Sequence, residues 1–219
     1  MSTILELRNI KKYYGKNTIL SNVNLVLKKG QMIALVGESG AGKTTLLSII
    51  GLLENPTEGR LIIANNDVTR LAAAPRAMLR RKYYGLIFQR ARLIGSLTAH
   101  ENVLLPAWLF GNDKTINKRA EELLCQLGLG ERLNYLPEQL SVGQMRRVAL
   151  ARALLYNPEI ILADEPTNDL DNISAGVVFA ELENARNKGA AVILVTHEEK
   201  FAVQADKVLR LENGLLTVE

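Results

Sequence analysis

Cysteine, histidine and aromatic side chains are scarce in this sequence, and no long apolar run interrupts it. Cys125 is the single cysteine. That excludes an internal disulfide framework and a cysteine-based zinc site, and Cys125 itself is expected to pack inside a helix. His100 and His197 are the only histidines, too few for a His-rich metal centre. Aromatic residues stand at 5%, but apolar residues reach 47% and charged residues 23% of 219. Those are globular proportions, which exclude disorder, collagen and coiled coil. The length suits one domain with a core that needs no staples. No apolar stretch approaches the roughly 18–20 residues that span a bilayer. The start, Met1 to Glu6, lacks a basic region followed by a long apolar stretch, so no signal peptide is expected and the chain is expected to stay in the cytoplasm. A net charge of +4 permits an anionic partner without demanding one. The basic clusters at Arg76, Arg80, Arg81 and Lys82, and at Arg90 and Arg92, read as solvated faces.

What is present is an alternation of strands and helices. Val23, Leu25 and Leu27 alternate with polar neighbours, a period-2 pattern that predicts a strand. Residues 28–30 read as a turn, 31–36 as a buried strand, and 44–53 as a helix after a glycine-rich loop. Residues 56–59 read as a turn and 60–64 as another strand. The middle of the chain turns helical, over 98–110, 117–127 and 142–156, with Ala120, Leu123, Leu124 and Leu127 on one stripe. Strands follow at 160–163 and 190–195, with a helix near 173–188 between them and Gly189 as its stop. Asn213-Gly214 between two apolar runs signals a closing hairpin. Strands alternating with helices around a helical middle give an α/β core with a helical insertion.

Two segments carry chemistry. Gly37-Glu38-Ser39-Gly40-Ala41-Gly42-Lys43-Thr44 fits G-x-x-x-x-G-K-[ST]. Its glycines let successive N–H groups face one anion, and the helix that follows adds its positive end. Lys43 supplies a point charge for the β- and γ-phosphates, Thr44 a hydroxyl for Mg²⁺, and Thr45 extends the site into the helix. Ile160-Ile161-Leu162-Ala163 is an apolar strand that runs into Asp164 and Glu165. Asp164 suits the shell of a Mg²⁺ ion, which prefers oxygen ligands. Glu165 suits a general base for an attacking water. Alternation along the strand is expected to send the two carboxylates to different sides.

A third segment, Leu140-Ser141-Val142-Gly143-Gln144, opens the helix at 142–156. Ser141 and Gln144 fit S-x-x-Q, a capping box, and a capped helix end with glycine is also an anion site. The segment is similar to the LSGGQ signature of ABC (ATP-binding cassette) transporter ATPases, and Met145-Arg146-Arg147-Val148-Ala149-Leu150-Ala151-Arg152 resembles its usual continuation. The order of motifs matches that family over essentially the whole chain: phosphate loop, Gln89, signature, Asp164-Glu165, Asn168-Asp169-Leu170-Asp171, then His197. Val142 stands where the family usually has Gly. It keeps a backbone N–H but brings a branched side chain that crowds the approach. Glu198 stands where Asp is frequent.

The resemblance implies one ABC ATPase domain over 1–219. A P-loop, RecA-like α/β core with an N-terminal antiparallel β-subdomain would occupy about 1–88 and 157–219, and a helical subdomain about 89–156. It implies that ATP and Mg²⁺ are bound. Tyr14, with Tyr13 as the other candidate, would stack on adenine. Thr44, Gln89 and Asp164 would hold the metal. Glu165, His197, Gln89 and Lys43 would act around the γ-phosphate and the water. Ser141, Gly143 and Gln144 would face the ATP of a second copy, with Asp171 at the dimer interface. ATP hydrolysis would then power a separate membrane permease, with no nucleic acid involved and the chain peripheral on the inner face of the membrane. The segments at Phe88–Ile94 and Leu97–Val103 resemble the lipoprotein-release, macrolide-export and antimicrobial-peptide-efflux subgroup. A permease helix is expected in a groove from about residue 89 to 110. The alternative is an ABC-type ATPase that regulates a membrane-associated process such as cell division without transport.

Overall fold

The structure, a computed structural model, describes residues 1–110 and 114–219, with the backbone alone at Leu109 and Phe110. Two sheets share it. The first is antiparallel and built from β1 (Thr3–Tyr14), β2 (Asn17–Lys28), β4 (Glu58–Ile63) and β5 (Asn66–Asp67), in the order β2-β1-β4-β5. Leu5 faces Leu27 and Leu7 faces Leu25 across β1 and β2. The expected alternation in β2 is present: Val23, Leu25 and Leu27 are buried, while Asn22, Asn24 and Val26 are exposed. Residues 58 and 59, expected in a turn, open β4 instead. Glu58 pairs with Lys11 in register and its carboxylate lies 2.8 Å from the Lys11 ammonium, a cross-strand pair that extends the ladder past the turn signal.

The second sheet holds β3 (Met32–Val36), β6 (Tyr84–Ile87), β7 (Ile160–Asp164), β8 (Ala191–Val195), β9 (Lys207–Glu212) and β10 (Leu215–Val218), in the order β10-β9-β3-β8-β7-β6. From β9 to β6 every pairing is parallel, and β10 closes the edge as an antiparallel hairpin. Asn213 and Gly214 both take positive φ at its turn, as a two-residue primed turn requires. The parallel strands are apolar at nearly every position because both faces are covered. Ile33, Ile160, Leu162, Ile193 and Val195 share one core with the antiparallel sheet and with α1 (Lys43–Ile50). Met32, Ile161, Ala163, Val192 and Leu194 face the other way. There they meet α3 (Ala99–Phe110), α4 (Lys114–Gln126), α5 (Val142–Leu154) and α6 (Asn172–Asn187).

Two helices carry no clear sequence signal. α2 (Ala73–Tyr83) carries Arg76, Arg80, Arg81 and Lys82 among small and apolar residues, with Leu79 and Tyr83 turned inward, and α7 (Glu199–Ala202) is a single turn. The Arg76–Lys82 cluster on α2 is only partly solvated. Arg76 bonds the Asn55 side chain and Arg80 donates to the Leu52 carbonyl at 2.7 Å, so both guanidinia fasten α2 to the chain beyond α1. α1 itself ends at Ile50, three residues short of expectation, because Gly51 caps it and Leu52 turns left-handed at φ 57°. Cys125 was expected to pack and is exposed. It lies outside the stripe of Ala120, Leu123 and Leu124 that α4 buries.

The segment leading into α3 depends on one side chain. Asn102 is fully buried. Its amide oxygen accepts from the Ile94 N–H at 2.8 Å, and its NH₂ donates to the carbonyls of Ile94, Leu97 and Thr98 at 2.9–3.1 Å. Asn102→Ala strips those partners and leaves buried polar groups unmet. We expect it to lower the unfolding free energy by about 1–3 kcal/mol, read as a shift of the urea midpoint at constant slope.

Candidate functional site

The parallel strands β3, β8, β7 and β6 lie side by side, so the segments that leave their C-terminal ends are neighbours too. That edge is where open α/β sheets place ligands. Here it carries the loop of Gly37 after β3, His197 after β8, Asp164 and Glu165 at the end of β7, and Gln89 after β6.

The phosphate loop takes the shape its glycines allow. Gly37 sits at φ 144°, and a Cβ there would fall 2.4 Å from the Leu211 carbonyl oxygen, so no side chain fits. Gly42 precedes α1 and no side chain caps that helix, which leaves its first N–H groups open for an anion. Lys43 is buried, and its ammonium donates to the carbonyls of Gly37 and Glu38 at 2.7 and 2.8 Å. Burial pushes that ammonium below the ordinary lysine value, against the pull of the Glu165 and Asp164 carboxylates. A phosphate entering this loop replaces two neutral acceptors with a charged one.

The acid pair differs from expectation in one respect. Strand alternation does not separate Asp164 and Glu165, because β7 ends at Asp164 and Glu165 turns left-handed at φ 46°. Its N–H still donates to the Val195 carbonyl at 3.0 Å. This strained backbone at a non-glycine residue aims the carboxylate across the strand ends. One oxygen lies 2.7 Å from His197 Nε2, and the other accepts from Gln89 Nε2 at 3.1 Å. Asp164 stays on the phosphate-loop side, where Thr44 Oγ1 donates to it at 3.4 Å. Burial first, then the neighbouring Glu165 charge, raises the Asp164 carboxyl above the usual aspartate range. Glu198 is tied to Thr167 through a short side-chain hydrogen bond, which links the His197 segment to the turn after Glu165.

Thr44, Asp164 and Gln89 offer a hydroxyl, a carboxylate and an amide, a hard donor set that suits Mg²⁺. Among the described residues no group of three His, Cys, Asp or Glu side chains is placed to hold a metal alone.

Tyr14 ends β1 with its side chain half exposed. Its hydroxyl lies 2.7 Å from both carboxylate oxygens of Glu54. Lys12 holds the same carboxylate at 2.7 Å and sits 5.0 Å from the Tyr14 ring centroid. The Glu54 hydrogen bond raises the Tyr14 hydroxyl above the ordinary tyrosine value, and a contact with Thr45 opposes it. That contact puts Tyr14 beside the first turn of α1. Tyr13 is half-buried, and its backbone N–H is bonded to Thr57. Sequence reasoning missed Lys12 and Glu54, since nothing local marks a tether between residues 40 positions apart.

The signature segment lies apart. The capping box is present, with the Gln144 N–H donating to Ser141 Oγ at 3.2 Å and the Ser141 N–H to Gln144 Oε1 at 2.9 Å. A Cβ on Gly143 would come within 2.9 Å of Ser174 Oγ, so α5 and α6 start in close contact there. Asp171 caps α6, accepting from the N–H groups of Ile173 and Ser174. Val142 is 52% exposed, so its branched side chain is open to solvent. Among the described residues no hydrogen bond joins Ser141, Gly143 or Gln144 to the phosphate loop. The chain therefore presents two surfaces, one with Lys43, Asp164, Glu165, Gln89 and His197, and one with Ser141, Gly143 and Gln144.

The profile of the ABC transporter family matches residues 20–168. The uncharacterized ABC transporter ATP-binding protein MJ1508 of Methanocaldococcus jannaschii is 45% identical over 216 residues, 96% of each chain. The macrolide export ATP-binding/permease protein MacB of Salmonella typhimurium is 43% identical over 219 residues, which are 98% of this chain and 34% of that protein. The chain thus spans about a third of the length of such exporters. Among solved structures, the dimeric post-hydrolysis ATP-binding cassette MJ0796, bound to ADP and phosphate, superposes with a TM-score of 0.92 at 38% identity, covering 99% of this chain and 98% of that one.

The raised Asp164 carboxyl has a consequence for stability. The folded state keeps a proton that the unfolded state has already released, so stability falls as pH rises from the ordinary aspartate value through the raised one. Asp164→Asn removes that cost. We expect the melting temperature of the nucleotide-free variant to exceed that of the parent at neutral pH, with the gap narrowing toward about pH 4. Calorimetry across that range checks it.

Proposed function

This chain belongs to the ABC transporter family as an ATP-binding, ATP-hydrolysing domain, and from that premise we propose that it powers a separate membrane permease through ATP-driven pairing of two copies. The observation that carries the reading is the Glu165 carboxylate, held between Gln89 and His197 beside a loop built for phosphate. The two separate surfaces support the rest. Each copy holds a phosphate site without a signature and a signature without a phosphate site, so a complete site takes the loop of one and the α5 start of another. The dimeric form of the related cassette MJ0796 supports the same arrangement.

In this reading Lys43 and the loop N–H groups bind the β- and γ-phosphates, and Tyr14, steadied by Glu54, gives adenine a ring to stack on. Thr44, Asp164 and the Gln89 amide oxygen would hold Mg²⁺, which neutralises phosphate charge when bound. Glu165 takes the proton of the attacking water. His197 holds the Glu165 carboxylate and reaches the γ-phosphate side of the site. The start of α5 offers its capped N–H groups to the phosphate of a partner copy. The division of the chain into a core with β-subdomain over about 1–88 and 157–219, and a helical part over about 89–156, suits this cycle.

No helix among the described residues is long and apolar enough to cross a membrane. Attachment to the membrane would come through the permease. A cavity of about 490 Å³ runs from Thr44 and Asp164 past Gln89 to Leu53, Phe88, Arg90 and Arg92. Its end at Gln89, Arg90 and Arg92 supports docking of a permease helix at the start of the groove from about residue 89 to 110; the Leu109 and Phe110 side chains lie outside the described residues. The cargo would be chosen by the permease; the similarity to MacB favours export of a macrolide, with a lipoprotein or an antimicrobial peptide as the other cargoes of the subgroup that the sequence resembles.

Glu165→Gln tests the mechanism. It keeps the size and removes the base, so we expect ATP turnover to fall by about 10²–10⁴-fold while ATP still binds. Light scattering should show an ATP-dependent dimer that persists. Turnover equal to the parent would remove Glu165 from the role of base.

A further inference from the structure

Gln89 stands on a short loop, and that loop is held from one side. Arg146, on α5, is 4% exposed and donates Nη1 to the Phe88 carbonyl at 3.0 Å. Arg152, two turns further along the same helix, donates Nη2 to the Ala91 carbonyl at 2.9 Å and Nη1 to the Arg92 carbonyl at 3.1 Å. The loop is also closed on itself, because the Arg92 guanidinium lies 4.5 Å from the Phe88 ring centroid and Arg92 is left-handed at φ 45°. Arg146 reaches a second place. Its Nη2 contacts the Asn168 carbonyl at 3.4 Å, and the Asn168 N–H returns to the Glu165 carbonyl at 3.2 Å.

Among the described residues neither guanidinium has a carboxylate in ion-pair contact. Burying a charge is costly, and burial lowers both groups below the ordinary arginine value, opposed at Arg146 by the more distant Asp169 and Glu165 carboxylates. An apolar side chain would fill the same space at less cost. What only a guanidinium supplies is a rigid fork that holds two acceptors at once. The acceptors chosen bracket Gln89 on both sides, and the helix that holds them begins at Ser141.

We infer that Arg146 and Arg152 are positioning residues that fasten the Gln89 loop to α5, so that Gln89 and the signature end of the helix shift as one body. The inference rests on the roles proposed above for Gln89, Glu165 and the α5 start. A push on the loop then reaches two half-sites. Through the Gln89 amide it moves the Glu165 carboxylate of the same copy, and through α5 it moves the N–H groups offered to the other copy.

The test uses the full chain with Arg152→Leu, Arg152→Lys and Arg146→Met. The first readout needs no nucleotide. Trypsin cleavage after Arg90 and Arg92 should run on the order of tenfold faster in Arg152→Leu, because a charge-assisted tether on that loop is gone, with the other sites unchanged apart from the one at residue 152 that the substitution removes. The second readout is hydrolysis. Arg152→Leu and Arg146→Met should lose about 10- to 100-fold in kcat, while KM and the Kd for a fluorescent ATP analogue stay within about twofold. Arg152→Lys, a point charge that reaches one carbonyl at a time, should fall between parent and Arg152→Leu in both readouts. Unchanged cleavage in Arg152→Leu overturns the inference, and so does a kcat loss matched by an equal loss of nucleotide binding or by a collapse of the melting temperature. If Arg146→Met fails to fold, the two Arg152 variants decide alone. A parent chain without ATPase activity would defeat the roles of Gln89 and Glu165, and the cleavage comparison would still decide the fastening.

Discussion

Parallel pairing of four strands is the constraint on which the rest depends. β3, β8, β7 and β6 run in one direction and end at one edge. Each strand needs a covered crossover before the next can begin, so residues far apart in sequence finish side by side. That pairing brings Gly37, Gln89, Glu165 and His197 to one edge. The crossover between β6 and β7 is the long one, and it contains α3, α4 and α5. The helix that carries Ser141 to Gln144 therefore lies in the stretch between Gln89 and Asp164.

At that edge the chain accepts local costs that a purely structural protein would avoid. Lys43 is buried against carbonyls, Asp164 lies close to another carboxylate, and Glu165 adopts a left-handed backbone. Each is unfavourable in isolation. The cores on both faces of the sheet hold the strand ends in place against this strain. The aliphatic layers of β3, β7 and β8 are almost wholly buried, and such packing shifts little when one side of the site is loaded.

Much of this was legible in the residues. The phosphate loop, the capping box at Ser141, the apolar strand before Asp164 and the Asn213-Gly214 hairpin are all local signals, and each lies where its chemistry demands. α2 was not legible because its inward face is two apolar residues among arginines. The start of β4 was not legible because a cross-strand partner, Lys11, decides whether Glu58 belongs to a turn or a strand. The Glu54 tether on Tyr14 and the two arginines on the Gln89 loop were hidden for a related reason. Their partners are backbone carbonyls or residues distant in sequence, and neither leaves a mark in composition or period. Cys125 misled because a mid-helix position says nothing about which way the side chain faces.

By itself the sequence determined the family, the order of the motifs and the type of chemistry, because phosphate binding and helix capping use contiguous residues at set spacing. Tertiary structure alone decided how the carboxylates divide. A left-handed turn, rather than strand alternation, parts Glu165 from Asp164, and it persists because β8 accepts the Glu165 N–H while Gln89 donates to the Glu165 carboxylate and His197 Nε2 lies against it. It alone decided that Val142 is open to solvent and that two arginines of α5 bond the Gln89 loop. Those facts depend on which surfaces meet when the layers pack, and packing is a property of the whole chain.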